Sequence, residues 1–335
     1  MQPLAISHRP APGLCPVNGI RDLIHWRTGR DWSNQFVHGL GQGGGFAYLR
    51  FGAADPPRQI YWGIAGPRQH RYLADLLGAG YTEIENRTFP FAWRKARAAL
   101  EAGTPPVIGP LDMYYLPFYS GIYCRRHIPI HYLLLVGFDD EQAYVLDTGQ
   151  EAVQALSLTD LEQAWDVTVP GLGKRNRLVA FHLPAELPPS ATLIRQSITD
   201  QCRSMLEPPV SMLGIPAMEK VAREIEGWPD ELGSDTADGC LLQVREYLNS
   251  PPDLLGDHLT AGRDLYVAFL EEAGPMAGLD LSAPVRFLRD VMVLIPSLAG
   301  ALQEGRLDAA AACFWQVAAK EAQAYADLTR LASLI

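Results

Sequence analysis

A proline-rich stretch, Leu183-Pro-Ala-Glu-Leu-Pro-Pro189, divides this chain of 335 residues into two parts with different hydrophobic patterns. Before it, short β-like runs alternate with helical stretches, which is typical of an α+β domain. After it, the pattern is that of successive helices broken by Gly and Pro pairs. Because three prolines favour a stiff, extended connector, we predict an α+β domain over residues 1–183 and an all-α domain over residues 190–335.

Charge follows the same division. Residues 1–189 carry 17 basic and 17 acidic side chains, whereas residues 190–335 carry 11 basic and 21 acidic ones. The second part therefore holds the whole formal net charge of −10, which favours two separate domains. Because the chain is acidic and its few basic clusters contain no interleaved aromatic residues, we do not expect it to bind nucleic acid.

The apolar runs are much shorter than a membrane span, and no basic segment precedes an apolar one at the N-terminus. The five cysteines are scattered, odd in number and without Cys-x-x-Cys pairs: Cys15, Cys124, Cys202, Cys240 and Cys313. That usage argues against a disulfide framework or a structural zinc site. His127 and His131 are four residues apart, but Pro129 lies between them, so no metal site is predicted. We expect a cytoplasmic protein without a membrane segment.

Cys15 stands at the predicted start of a helix. Pro16 follows it, and apolar residues then recur at helical spacing as far as Ile24, before Gly29. Proline suits the first helical position, and the positive end of the helix dipole favours a thiolate. The pattern is therefore that of a nucleophile. The alternative, a small buried apolar cysteine, is the commoner case for this local pattern taken alone.

The run from His131 to Asp139 and the run from Ala143 to Asp147 predict a β-hairpin, with a polar turn between them and Gly137 as a bulge or a point of close approach. If the strands fold back near Asp139, His131 and Asp147 become cross-strand neighbours on one face of the sheet. Cysteine, histidine and aspartate then occur in the chain order of papain-like thiol chemistry: nucleophile, base and orienting carboxylate. A lone histidine beside an apolar strand is more often a packing residue.

Four motifs together resemble those of a known family. They are Leu14-Cys-Pro-Val-Asn-Gly-Ile-Arg-Asp-Leu-Ile24, Gly39-Leu-Gly-Gln-Gly-Gly-Gly-Phe46, Asp112-Met-Tyr-Tyr-Leu-Pro117 and the hairpin from His131 to Asp147. This set resembles the butirosin biosynthesis protein H family, and the C-terminal helices resemble the domain of unknown function that usually follows it. The resemblance implies a papain-like fold, similar to that of bacteriocin-processing C39 cysteine peptidases, for the first domain.

The same resemblance implies an acyltransferase. Cys15 would take an acyl group from the phosphopantetheine thioester of an acyl carrier protein and pass it to a small-molecule amine or hydroxyl acceptor. His131 would shuttle the proton and Asp147 would orient His131. No cofactor other than the phosphopantetheine arm of the carrier protein is implied. Related peptidases have an oxyanion-binding Gln about six residues before the cysteine, where this chain has Arg9.

Residues that we expect to bind substrate come from three of these motifs: Asn18, Gln42, Gly43, Gly44, Asp112, Tyr114 and Tyr115. The glycine loop would bring its backbone close to a ligand or the thiol, or serve only as a flexible connection. Asp112 would attract a cationic amine, with the two tyrosines lining the pocket, or all three would be packing residues. The helical domain would serve as a lid, a dimerisation surface or an acceptor-binding domain.

Two other functions remain open. A cysteine peptidase, or a thioester or amide hydrolase, would use the same three residues and would differ only in admitting water. A non-catalytic binding protein on this fold would be favoured if Cys15 and His131 lay far apart.

Overall fold

The structure, a computed structural model, describes residues 1–63, 66–248 and 260–333. Residues 64–65 of the predicted first domain, and 249–259 and 334–335 of the predicted second, lie outside the described residues. The helices are α1 (Cys15–Thr28), α2 (Asn34–Leu40), α3 (Pro67–Leu77), α4 (Phe89–Glu101), α5 (Leu158–Trp165), α6 (Ser190–Leu206), α7 (Gly214–Glu224), α8 (Trp228–Leu232), α9 (Ser234–Leu248), α10 (Arg263–Ala277), α11 (Ser282–Gln303) and α12 (Leu307–Ala332). The strands are β1 (Phe46–Arg50), β2 (Arg58–Trp62), β3 (Gly80–Ile84), β4 (Val107–Leu111), β5 (His131–Phe138), β6 (Gln142–Leu146), β7 (Gln154–Ser157) and β8 (Leu178–His182).

The first compact unit comprises Met1–Val37 and Ala65–Pro188. Its core is an antiparallel sheet of six strands in the order β3-β8-β4-β5-β6-β7. Every residue of β4 and β5 is buried. Helix α1 lies close against β5: a Cβ atom added to Gly19 would be only 3.0 Å from the Leu134 Cβ. The mixture of helix and sheet confirms the predicted α+β class.

The predicted hairpin of β5 and β6 is present, and one extra residue in β5 decides which face Asp147 occupies. The pairs are Phe138 with Ala143 and Gly137 with Tyr144 near the turn, then Leu135 with Val145 and Leu134 with Leu146. Val136 is therefore the bulged residue. If the pairing of Leu134 with Leu146 is continued by one residue, Asp147 lies beside His131, and both side chains are on the same face of the sheet. Without the bulge Asp147 would lie on the opposite face, because side chains alternate along a strand.

The second compact unit comprises His38–Ile64 and Pro189–Ile335. One division between the units falls in the proline-rich connector, but the segment His38–Ile64 also belongs to the second unit, which the sequence patterns did not indicate. The segment His38–Ile64 contains the antiparallel pair β1–β2. Within this unit, Tyr48 and Arg50 of β1 each contact the Glu224 carboxylate, at 2.8 and 2.9 Å. Side-chain contacts with Glu224 thus hold a two-stranded element that would be only marginally stable alone.

The sequence patterns did not indicate two of the strands, β3 and β7. Both lie at the edges of the six-stranded sheet, and of their nine residues only Leu156 is buried. A half-exposed edge strand has little apolar alternation to distinguish it from a loop. None of the helices among the described residues combines the length and the apolar composition needed to cross a membrane.

Candidate active site

Cys15 is the first residue of α1. The Asn18 N–H donates to the Leu14 carbonyl at 2.9 Å, which begins the helical hydrogen-bonding pattern just before the cysteine. The Cys15 side chain is partly exposed, and its Sγ lies 3.9 Å from the Ile130 carbonyl oxygen. Because Ile130 immediately precedes β5, the thiol lies where β5 begins. The structure thus places the predicted nucleophile at the positive end of a helix dipole.

His131 opens β5 and is almost completely buried. Its Nε2 lies 2.5 Å from Asp147 Oδ2, which leaves Nδ1 for the thiol. Burial acts to lower the pKa of His131, but the charge of Asp147, followed by that of Cys15 and by hydrogen bonds to both, raises it to about 10. The imidazole is therefore protonated at neutral pH and paired with a carboxylate on one side and the sulfur on the other.

Asp147 is fully buried at the end of β6. Its second carboxylate oxygen, Oδ1, accepts hydrogen bonds from the Tyr119 hydroxyl at 2.6 Å and the Gly149 N–H at 2.7 Å. Burial acts to raise the pKa of Asp147, but the His131 charge and these hydrogen bonds lower it overall. Asp147 is therefore ionised and held at both oxygens.

Tyr119 was not among the predicted site residues. Its ring lies edge-on to His131, with centroids 5.4 Å apart and an interplanar angle of 82°. Burial, followed by the Asp147 charge, raises the pKa of Tyr119 well above its ordinary value, so that the hydroxyl remains a donor. No sequence signal pointed to it, because it lies in an irregular segment 28 residues from Asp147.

His8 is a second residue that the sequence did not reveal. Its Nδ1 lies 2.5 Å from Asp22 Oδ2 on α1, and its Nε2 lies 2.8 Å from the Asp147 main-chain oxygen and 3.0 Å from that of Gln150. All three partners are acceptors, so both ring nitrogens must donate and the ring is an imidazolium. Burial acts to lower the pKa of His8, but the hydrogen bond and charge of Asp22 outweigh it, so that the pKa is raised.

The contacts of His8 connect helix α1 with Asp147. Asp22 lies seven residues after Cys15 and so on the same face of α1. His8 joins Asp22 to the backbone of Asp147, and the Asp147 carboxylate joins His131, which meets Cys15. The helix that carries the thiol is therefore tied to the strand that carries the carboxylate.

Asn18, in the first turns of α1, contacts the main chain of Arg9. The buried Asn18 amide donates to the Arg9 carbonyl at 2.9 Å and to Asn34 Oδ1 at 3.0 Å. The Arg9 side chain points instead to Asp31, at 3.2 Å on the surface. Asn18 thus holds neighbouring loops together, and its role toward a substrate stays a prediction.

The glycine loop belongs to the second unit. A Cβ atom on Gly43 would lie 2.1 Å from the His38 ring, and one on Gly44 would lie 2.8 Å from the Tyr325 hydroxyl. The same hydroxyl donates to the Gly44 carbonyl at 3.0 Å. Gln42, which is buried, adopts a positive φ of 63°. Close packing therefore accounts for these glycines, and substrate binding by Gln42, Gly43 and Gly44 stays a prediction.

Asp112 follows β4 and is buried. Its Oδ1 accepts the N–H groups of Tyr114 and Ile128 at 3.0 and 2.8 Å, and its Oδ2 lies 2.6 Å from Nδ1 of His127. Tyr114 stacks on His127, and Tyr115 lies at an angle to both rings. The predicted amine-binding carboxylate is therefore occupied by contacts within the chain, and the group that reaches solvent is His127.

Two family models match this chain. One, described as "Butirosin biosynthesis protein H, N-terminal", matches residues 14–148, which include Cys15, His131 and Asp147. The other, described as "Domain of unknown function (DUF4872)", matches residues 159–328. A search of curated proteins finds no match.

Proposed function

Because this chain belongs to the butirosin biosynthesis protein H family, we propose that it is a cysteine-dependent acyltransferase of antibiotic biosynthesis. The family description ties its members to a biosynthetic role, which suggests an enzyme. The observation that carries the proposal is the arrangement of Cys15, His131 and Asp147, with the Cys15 thiol at the start of β5 and the His131 ring bonded to the buried Asp147 carboxylate. We also propose that the first unit has a papain-like fold.

In the first step, the Cys15 sulfur attacks the carbonyl carbon of an acyl thioester on the phosphopantetheine arm of an acyl carrier protein. A C–S bond to Cys15 forms, and the C–S bond to phosphopantetheine breaks. The leaving thiolate takes the proton of the His131 imidazolium, so that His131 becomes neutral. Asp147 stabilises the charged ring before this step and holds its orientation throughout.

In the second step, the acceptor amine attacks the acyl carbon of the Cys15 thioester. Its nitrogen loses a proton to the neutral His131, the C–S bond breaks, and an amide is released. This step restores the thiolate and the imidazolium. The reaction therefore needs no bound cofactor other than the arm of the carrier protein.

The oxyanion that forms in each step needs a hydrogen-bond donor. The first N–H groups of a helix have no partner within the helix, and Pro16 has none to offer. Among the described residues, no backbone carbonyl accepts the Cys15 N–H. We assign the Cys15 N–H to the oxyanion, since the Arg9 guanidinium is held at Asp31.

The test is to incubate the protein with an acyl carrier protein that bears an acetyl-phosphopantetheine thioester, and to measure intact and peptide masses. We expect one acetyl group on Cys15. The Cys15→Ala variant should remain unmodified, whereas Cys124→Ala, which removes an exposed cysteine, should be acylated at the wild-type rate. Acylation that persists in Cys15→Ala, or none in the wild type, would contradict the proposal.

Addition of a primary amine then separates transfer from hydrolysis. An acyltransferase should convert most of the acetyl group to the amide, whereas a hydrolase with the same three residues would release acetate at a rate independent of the amine.

A further inference from the structure

A second histidine–carboxylate pair, His127 and Asp112, lies in the same unit. The Asp112 side chain is only 7% exposed, whereas that of His127 is 63% exposed. Two backbone N–H groups occupy Asp112 Oδ1, and His127 Nδ1 lies 2.6 Å from Oδ2. A buried carboxylate therefore holds an exposed imidazole, as an orienting carboxylate holds a catalytic base.

The contact with Asp112 fixes the tautomer of His127. Since the carboxylate can only accept, Nδ1 carries the hydrogen, and whenever the ring is neutral the lone pair is on Nε2. Among the described residues, no group hydrogen-bonds to Nε2. The ring also stacks on Tyr114, with centroids 4.1 Å apart and planes at 10°. The imidazole is thus held in one orientation, with an unused proton acceptor at the surface.

Chain connectivity keeps this pair close to the nucleophile. The Ile130 carbonyl oxygen is 3.9 Å from Cys15 Sγ. His127 precedes Ile130 by three residues, so that their Cα atoms are at most about 11 Å apart. Leu111, the residue before Asp112, pairs with His131. His127 and the thiol are therefore at the same end of β5.

We propose that His127 is the base that deprotonates the acceptor and that Asp112 is its positioning residue. The inference rests on the proposed acyl transfer and specifies the acceptor class as a primary amine that is protonated at neutral pH. An ammonium group has no lone pair and cannot attack the acyl carbon until it loses a proton. Neutral His131 can accept only one proton, and it takes the one that the amine nitrogen releases during amide formation. The first proton of the ammonium group therefore needs a different acceptor, before the amine attacks.

The acceptor ammonium gives one proton to His127 Nε2, directly or through one water, and becomes a neutral amine. The amine nitrogen bonds to the acyl carbon and gives its next proton to His131, while the bond to Cys15 Sγ breaks. His127 then returns its proton to water.

The test compares two acceptors after acetylation of the enzyme by S-acetyl-N-acetylcysteamine at pH 7. Propylamine is almost wholly protonated at this pH, whereas hydroxylamine is largely neutral. In His127→Gln we expect amide formation with propylamine to fall about 100-fold, within the usual contribution of a general base. Acetylation of Cys15 and transfer to hydroxylamine should stay at wild-type rates.

Asp112→Asn should show the same selective loss, because the N–H groups of Tyr114 and Ile128 hold the amide oxygen, so that the NH2 group faces His127 Nδ1 and favours the opposite tautomer. Arg125→Gln, an exposed change on the same segment, is the matched control. Equal loss with both acceptors would indicate a structural role and overturn the inference, as would wild-type propylamine transfer in His127→Gln. Failure of the wild type to acetylate Cys15 would instead contradict the proposed function itself, and is seen before any amine is added.

Discussion

The Nε2 atom of His8 lies 2.8 Å from the main-chain oxygen of Asp147, the residue whose carboxylate binds His131. The two residues are 139 positions apart in the chain. Through Asp22, His8 is also fixed to the helix that begins with Cys15. Asp147 is therefore held by its backbone as well as by its side chain.

We predict that His8→Gln lowers the free energy of unfolding by about 1–3 kcal/mol at pH 6, because a charged donor to buried acceptors is lost. The pKa of His8 is raised in the folded state, so this stabilisation is complete below the ordinary value of 6.5 and is lost as pH rises through the raised folded pKa. Urea unfolding of both proteins at pH 6 and pH 9 measures it. A difference that is larger at pH 9 would contradict the charged state of His8.

The Cys15 thiol should be the first of the five cysteines to react with iodoacetamide at pH 6. The pKa of His131, raised to about 10, keeps a positive charge beside the sulfur at that pH. Burial raises the pKa of Cys202 to about 11 and also raises those of Cys240 and Cys313. Peptide mass spectrometry over time identifies the labelled residue. In His131→Ala the preference for Cys15 at pH 6 should disappear, and preferential labelling of Cys124 in the wild type would refute the assignment.

Asp147→Asn should reduce the acylation rate of Cys15 about 100-fold without abolishing it, since the carboxylate orients and stabilises the ring but forms no bond to substrate. Cys15→Ala and His131→Ala should abolish acylation. Single-turnover acylation, followed by intact mass, compares the three variants. An unchanged rate in Asp147→Ala would show that another group holds His131.

Tyr119→Phe removes one of the hydrogen bonds that Asp147 receives and should cost about 1 kcal/mol of stability. Tyr144→Phe is the matched control, because Tyr144 donates to Asp139 at 2.6 Å on the surface. Only the first change should slow acylation, because only Tyr119 contacts the carboxylate that orients His131. Equal effects of the two changes on acylation would argue against a role for Tyr119 in the site.

Gly19→Ala should destabilise the protein by about 1–3 kcal/mol, because its Cβ atom would lie 3.0 Å from the Leu134 Cβ, between α1 and β5. Gly239→Ala is the control: it lies inside helix α9 with nothing within 4 Å of the added carbon. That change should stabilise the protein by about 0.5–1 kcal/mol. Thermal unfolding measures both. Stabilisation by Gly19→Ala would show that α1 can move away from β5.

Local patterns, taken together in chain order, were enough to nominate Cys15, His131 and Asp147 as a site. The start of a helix at Cys15 depends on Pro16 and a nearby apolar spacing, and a hairpin depends on alternation and a polar turn. Those signals act over a few residues, so they can be read without knowing the fold. The approximate bounds of α1, β5 and β6 were predictable for the same reason.

Tertiary structure decided what surrounds those residues. The bulge at Val136 places Asp147 on the face of His131, and a bulge is a property of the pairing of two strands. His8 and Tyr119 reach Asp147 across 139 and 28 residues, through contacts that no local pattern specifies. The assignment of Asp112 to His127, and of the glycine loop to packing against Tyr325, likewise depends on long-range neighbours. The sequence by itself determined which residues we propose for the chemistry, whereas their protonation and orientation come from burial and hydrogen-bond partners that exist only in the folded chain.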